Sequence, residues 1–296
     1  MPAHAQFYIP PDIHHLYRPF ASDRFDGWID ARLFAALPEA LRATPLRVAQ
    51  STDAERVREA RNLTVTTTLA GRRVWVKIFR PAGAMSWLQY ALRRGKAVAA
   101  WNAAFALRSQ DLRSPRPLWG LRRRGRCGGA IGMLAVEDEP NSVNLDELLT
   151  ANGEDQAHLL HSLGQFVGRV HTAGFLHRDL RRSNILVRDL GDHFEFALLD
   201  VNRLQRYRRL TAGLRLRELE RLRLTGPAGK FFFNGYAPRA KDAQRLNHQY
   251  QRRLHIAARL ESLPRPLRKV VKKLWYYSSE RPTLRRFGSG AAPRGK

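Results

Sequence analysis

Residues His171–Val187 read HTAGFLHRDLRRSNILV, and a short echo at Leu198–Asn202 reads LLDVN. Inside the first stretch, His177-Arg178-Asp179-Leu180 is followed by three residues and then by Asn184. The apolar run Ile185-Leu186-Val187 comes at once, and the second apolar run ends on Asp200. Short apolar runs on either side of the polar turn Asp189–His193 predict two strands, Asn184–Val187 and Phe194–Leu199. A hairpin of that kind puts Asn184 and Asp200 at neighbouring ends, on one rim.

Upstream of this stretch the pattern is regular. Ala157–Val170 carries Leu159, Leu160, Leu163, Phe166, Val167 and Val170 at helical period, and Gly174 stops it. Leu145–Leu149 starts a helical half, and Glu137-Asp138-Glu139-Pro140-Asn141 is a polar joint before it. Ala130–Val136 is an apolar strand entered through Gly128-Gly129, after a basic loop at Leu121–Arg126. Met85–Leu107 has the helical spacing Val98, Trp101, Phe105, with Arg93, Arg94 and Lys96 near its start, and Ser114–Pro117 breaks the chain. Leu63–Leu69 and Val74–Phe79, joined at Ala70-Gly71, predict a β-hairpin. On its second strand Val74, Val76 and Ile78 share one face, and Trp75, Lys77 and Phe79 share the other. A lysine among such neighbours needs an anionic partner. Residues 1–50 read as an irregular lead-in with a short helix near Asp30–Leu41.

Downstream the character changes. Arg203–Leu224 holds eight arginines interleaved with leucines and reads as an amphipathic basic helix or pair of helices. Phe231–Tyr236 reads as an apolar patch followed by a turn, and Asp242–Leu260 as a helix. Pro264–Leu274 is basic, with Trp275-Tyr276-Tyr277 beside it, and the tail 288–296 reads as disordered.

Composition sets bounds on what this chain can be. Hydrophobic residues make up 44% of the 296, enough for a packed core. No apolar run approaches a membrane span, and the prolines and polar residues of MPAHAQFYIPPDIHHLYRPF do not suit a signal peptide. The one cysteine, Cys127, fits a reducing, cytoplasmic compartment. Charge is the outlier. Lys plus Arg is 52 against 26 for Asp plus Glu, a net +26, which implies an anionic partner: nucleic acid, an anionic bilayer or a phosphorylated substrate.

The spacing H-R-D-L-x-x-x-N is that of a kinase catalytic loop. The order of elements is a hairpin with lysine, helix, strand, acidic joint, helix, this loop, and a strand pair ending in Asp. It predicts an α+β, protein-kinase-like two-lobed fold, with a small β-rich N-lobe at 51–137 and a larger, mainly helical C-lobe at 138–287. HTAGFLHRDLRRSNILV with LLDVNR, preceded by GRRVWVKIFR, resembles the bacterial lipopolysaccharide kinases of the Kdo/heptose kinase family. The resemblance runs from about Leu63 to Leu224. It implies transfer of the γ-phosphate of ATP to a Kdo or heptose hydroxyl of the lipopolysaccharide inner core. Asp179 would accept the hydroxyl proton, and Arg181 would stabilise the transferred group. Asn184 and Asp200 would hold Mg²⁺ or Mn²⁺, and Lys77 would clamp the α/β-phosphates. Main-chain groups of 135–138, Glu137 included, would meet adenine. His177 would be a packed structural residue. The implied acceptor is the anionic glycolipid lipid A–core, which places the protein in the cytoplasm, peripheral on the inner face of the inner membrane. Basic segments would attach it there.

Three departures stand out. Only Gly71 precedes Lys77 where kinases keep a glycine-rich loop, Trp75 occupies a place usually small, and no Asp or Glu lies between Glu59 and Asp111. Ala100 falls where a helix glutamate would pair with Lys77, so a substitute acid would come from elsewhere in space, Glu137 or Asp138 included. Two rival readings follow: a pseudokinase or scaffold of the same fold, and a basic nucleic-acid-binding protein, for which no recognisable motif is present.

Overall fold

The computed structural model describes residues 6–285 except 52, 60–61, 82, 84–94, 125–130, 153–155, 238, 263, 265–266 and 268–283. Arg93, Arg94, Cys127, Gly128-Gly129, Trp275–Tyr277 and the tail therefore lie outside the described residues. Two compact units divide the chain. One is built on residues up to Pro140 together with Asp200–Arg203, the other on Asn141–Leu199 and Leu204–Arg286.

The first unit contains β1 (Tyr17–Ala21), β2 (Phe25–Asp30), α1 (Ala31–Ala36), α2 (Glu39–Ala43) and β3 (Glu55–Glu59). Then come β4 (Asn62–Leu69), β5 (Arg72–Phe79), α3 (Lys96–Arg108), β6 (Pro117–Arg123) and β7 (Gly132–Glu137). Its strands form one antiparallel sheet in the order β1-β2-β6-β7-β5-β4-β3. The expected hairpin is β4–β5. It turns at Ala70 (φ 52°) and Gly71 (φ 75°), the pair of positive φ values whose twist matches that of two antiparallel strands. The period of two sorts β5 by face. Val74, Val76 and Ile78 are fully buried with Val65, Trp119 and Met133 against Leu33, Leu37 and Val48. Phe79 and Leu134, on the opposite face, pack on Ala97, Ala100, Trp101 and Phe105 of α3. Lys77 sits mid-strand, paired across to Thr64 on one side and Leu134 on the other.

The N-terminal segment is not an irregular lead-in. It supplies β1 and β2, and the expected helix is split by Pro38 into α1, capped by the Asp30 carboxylate on the Leu33 N–H (2.9 Å), and α2. A proline and a glycine lie within these two strands, each for a structural reason. Pro19 lies on the edge strand β1, the position in a sheet that tolerates proline. Gly27 faces Gly120 so closely that a Cβ would meet the Gly120 carbonyl oxygen at 1.9 Å. Leu121–Arg123, expected in a loop, continues β6, where Arg122 pairs with Asp26 of β2 at 3.0 Å.

The second unit contains β8 (Val143–Asn144), α4 (Leu145–Asn152), α5 (Ala157–Thr172), β9 (Phe175–Leu176), β10 (Ile185–Asp189) and β11 (Phe194–Leu198). It continues with β12 (Gln205–Tyr207), α6 (Ala212–Leu219), α7 (Gly226–Tyr236), α8 (Ala240–Glu261) and β13 (Leu284–Arg285). Two small sheets, β11-β10-β8 and β13-β12-β9, accompany the helices. The predicted apolar stripe of α5 is buried along its length, and Gly174 takes φ 83° where the chain leaves the helix for β9. Helix α5 lies backbone to backbone on α7. A Cβ on Gly164 would sit 2.0 Å from the Phe232 carbonyl oxygen, so only glycine allows the approach. Phe231–Tyr236 is thus the end of a helix, with Phe232 and Phe233 in the core, and not a patch followed by a turn.

Arg203–Leu224 also departs from expectation. It is neither one amphipathic helix nor a pair: β12, a single α-helix, α6, and a 3₁₀ turn at Glu220–Leu222 share it. Leu204, Leu210, Leu216, Leu219, Leu222 and Leu224 are all buried, so the leucines serve this unit's own core rather than a membrane. Arg203, Arg208 and Arg209 remain exposed. Among the described residues, no helix is long and apolar enough to cross a membrane.

Candidate active site

The predicted site residues fall in both units: Asp179, Arg181 and Asn184 in the second, Lys77, Glu137 and Asp200 in the first.

Over Phe175–Asp189 the chain passes from β9 through an irregular loop to a 3₁₀ turn, Arg182–Asn184, and into β10. Asp179 is held at nearly every polar atom. Its N–H donates to His177 Nδ1 (3.3 Å), and its carbonyl accepts from Asn184 Nδ2 (2.8 Å). Its Oδ1 accepts from Arg181 Nε (3.1 Å) and from Arg221 (2.8 Å). Both of these bonds fall on Oδ1 and neither on Oδ2. His177 is fully buried, and its Nε2 donates to the Leu199 carbonyl at 2.7 Å. Since Nδ1 accepts, Nε2 must carry the proton; the ring is a spacer between loop and strand. Asn184 spends its amide N–H on Asp179, which fixes its side-chain oxygen as the outward acceptor. Its backbone carbonyl accepts from Leu199 N–H (2.9 Å), and the next residue along the chain is Asp200.

A buried carboxylate supports this loop. Glu218, at the end of α6, accepts the backbone N–H of Arg178 and pairs with His171 Nε2 (2.9 Å), whose Nδ1 meets the Tyr236 hydroxyl at 2.8 Å. Arg178 needs such help, because it holds φ 66°, a left-handed conformation uncommon for a residue with a side chain. Burial by itself pushes the Glu218 carboxyl up. The His171 hydrogen bond and charge and the Arg178 N–H outweigh it, and the group ends below its ordinary value. Burial pushes the Tyr236 hydroxyl up to about 12 against the pull of Arg215. A carboxylate with a depressed folded-state pKa contributes stability above its unfolded pKa, roughly 4.3, and loses it as the pH falls through the folded value. Glu218→Gln is accordingly expected to cost about 2 kcal/mol near neutral pH. The gap to wild type should narrow beneath pH ~4. Urea unfolding at the two pH values checks this, and a gap independent of pH would contradict it.

In the first unit, Lys77 Nζ meets Asp200 Oδ1 at 2.7 Å, and Asn202 Nδ2 donates to the same oxygen at 2.6 Å. Asp200 is at φ 51°, and the turn Val201–Arg203 that follows packs against α3. The lysine therefore does find a carboxylate, but neither of the two substitutes. Glu137 faces Arg72 (3.6 Å) and Arg116 (4.0 Å), while Asp138 accepts the Trp75 indole N–H (2.7 Å) and lies 3.9 Å from Arg73. Ala100 on α3 is buried in the core, as an alanine there can be and a glutamate could not. The expectation that main-chain groups around Glu137 meet adenine also needs correction in part. The Glu137 N–H donates to the Arg116 carbonyl (2.9 Å) and the Asp138 N–H to the Arg73 carbonyl (3.1 Å), so both amides serve the unit's own backbone.

The site also includes residues that the sequence did not single out. Arg221 reaches Asp179 from 42 residues away, Glu218 reaches Arg178 from 40 away, and Arg182 holds the end of the turn Glu220–Leu222 that carries Arg221. The two arginines were signalled only by an excess of arginine, and nothing in the sequence signalled Glu218.

The pattern of the lipopolysaccharide kinase (Kdo/WaaP) family matches residues 39–250. Among solved structures, WaaP in complex with acyl carrier protein superposes with a TM-score of 0.55 at 19% identity, covering 72% of this chain and 92% of that one. WbdD, described elsewhere as a bifunctional kinase-methyltransferase, gives 0.44 at 15% identity over 67% of this chain and 45% of that one. No curated protein matches the sequence.

Proposed function

Because the chain belongs to the lipopolysaccharide kinase (Kdo/WaaP) family, we propose that it transfers the γ-phosphate of ATP to a Kdo or heptose hydroxyl of the inner core. The observation that carries this is Asp179, fixed through N–H, C=O and Oδ1 and left with Oδ2. The acceptor hydroxyl donates to Oδ2, its oxygen attacks the γ-phosphorus as the proton passes to Asp179, and the bond to the β-phosphate oxygen breaks to release ADP. Arg181 supplies fixed positive charge beside the reacting group. Lys77, held by Asp200, is the cation for the α/β-phosphates.

Asn184 and Asp200 offer an amide oxygen and a carboxylate. These hard donors suit Mg²⁺ or Mn²⁺ and not a thiolate-loving metal. When bound, such an ion neutralises charge on the phosphate oxygens. The acceptor is a polyanionic glycolipid, and the exposed arginines suit both it and an anionic leaflet, consistent with a peripheral position on the cytoplasmic face.

A scaffold without catalysis is the second reading, favoured by the direct Lys77–Asp200 pair and by the absence of an acid on α3. Thermal unfolding separates the two. Millimolar ATP with Mg²⁺ is expected to raise the melting temperature by a few degrees, since a ligand at 100 times its Kd contributes about 2.7 kcal/mol. No shift with either Mg²⁺ or Mn²⁺ would favour the scaffold.

A further inference from the structure

We propose that Arg221 is both the positioning residue that aims Asp179 and the residue that binds an oxyanion, carboxylate or phosphate, carried by the acceptor itself. This inference rests on the kinase reading and adds to it the feature of the acceptor that the protein recognises.

The contact between Arg221 and Asp179 is built, not incidental. Arg221 lies on the turn Glu220–Leu222, which ends at Arg223 in a left-handed conformation (φ 51°). The carbonyls of Leu222 and Arg223 are both taken by one guanidinium, that of Arg182, at 2.7 and 2.8 Å. Arg182 belongs to the catalytic loop, three residues after Asp179, so the loop itself grips the turn that bears Arg221. On the other side Glu220 pairs with Arg253 of α8. Arg221 is thereby fixed in backbone while its side chain stays 42% exposed; Asp179 is 22% exposed.

One guanidinium N–H goes to Asp179 Oδ1 at 2.8 Å. A guanidinium has five, arranged to meet an oxyanion in parallel pairs. Arg221 lines a cleft of about 830 Å³ within the second unit, together with Arg181, Arg217, Arg223, Leu254 and Ala257. Five arginines line it against three carboxylates. Two of those carboxylates, Glu220 and Glu261, are already paired with Arg253 and Arg223. The cleft therefore carries positive charge next to the one acid that must stay free to receive a proton. An acceptor with its hydroxyl on Oδ2 and an oxyanion on Arg221 would be held at two points, and the same guanidinium would keep Oδ1 from rotating into the reaction. A neutral sugar would supply only the first point.

Steady-state transfer from Mg-ATP tests this, using three forms of a lipid A–inner core acceptor: native, methyl-esterified at its carboxylates, and dephosphorylated. For wild type, one of the two modifications should raise KM at least tenfold, and which one does so identifies the oxyanion. Arg221→Gln should show the raised KM already with the native acceptor and respond to neither modification. Its kcat should fall several-fold on all three, because Asp179 is less well aimed, and KM for ATP should not change. Arg221→Lys, which keeps the charge but not the paired N–H geometry, should recover part of the preference for the native acceptor. The inference is overturned if wild type takes all three acceptors with the same KM. It is also overturned if Arg221→Gln lowers kcat while still discriminating as wild type does. Absence of transfer by wild type to any of the three would overturn the kinase reading, and this inference with it.

Discussion

Asp179→Asn is expected to lower kcat by about 10³-fold, in the middle of the range for loss of a general base, while leaving Mg-ATP binding intact. The substitution keeps the volume of the side chain. It also keeps the backbone bonds to His177 and Asn184 that shape the loop, since those use the Asp179 N–H and carbonyl. What it removes is the capacity to take the hydroxyl proton. It also weakens the hold of Arg181 and Arg221, whose N–H groups now meet an amide in place of a carboxylate. The measurement is single-turnover transfer beside ATP-induced thermal stabilisation. Loss of both together would mean that the loop had misfolded and that the assignment of a proton acceptor had not been tested at Asp179 alone; Asp179→Glu, which retains an acid, then decides by recovering or not recovering transfer.

Asp200→Asn should fail in a different way. Asp200 is the carboxylate on Lys77 at 2.7 Å and the strongest metal donor in the proposed set. Removing its charge leaves the lysine, whose side chain is 25% exposed, without a counter-ion and leaves a metal with only neutral donors from the protein. Transfer is expected to fall by about 10³-fold, equivalent to several kcal/mol of lost charge stabilisation. The Mg²⁺-dependent part of ATP stabilisation should vanish as well. The contrast is the informative part: Mg²⁺-dependent stabilisation by ATP survives at Asp179→Asn and is lost at Asp200→Asn. A variant at 200 that still bound Mg-ATP normally would remove Asp200 from the metal site.

Much of this arrangement was legible in the sequence because it is local. The loop from His177 to Asn184 closes on itself through bonds spanning two to five residues, and β4–β5 turns through Ala70-Gly71 as the alternation of Val and Thr predicts. What was illegible depends on distant partners. Nothing near Lys77 in sequence shows that its acid is Asp200, 123 residues on. The basic segment after Asp200 looked like a surface helix because leucine and arginine alternate there, yet burial sends the leucines inward and sends Arg221 to Asp179. Asn234-Gly235 is a strong turn signal in isolation. In the fold, Gly235 is helical and presses against the His161 carbonyl oxygen, where a Cβ would come within 1.9 Å. In β1 and β2, an edge position and a close crossing accommodate Pro19 and Gly27, residue types that usually break strands.

The most direct test of the central claim is transfer of labelled γ-phosphate from ATP to a purified lipid A–inner core acceptor by the wild-type protein and by Asp179→Asn. Label on the acceptor with wild type, and about a thousandth of that rate with the variant, is the predicted result. Equal labelling by the two proteins would contradict the role of Asp179, and no labelling by either would contradict the assignment of this chain as a kinase of the inner core.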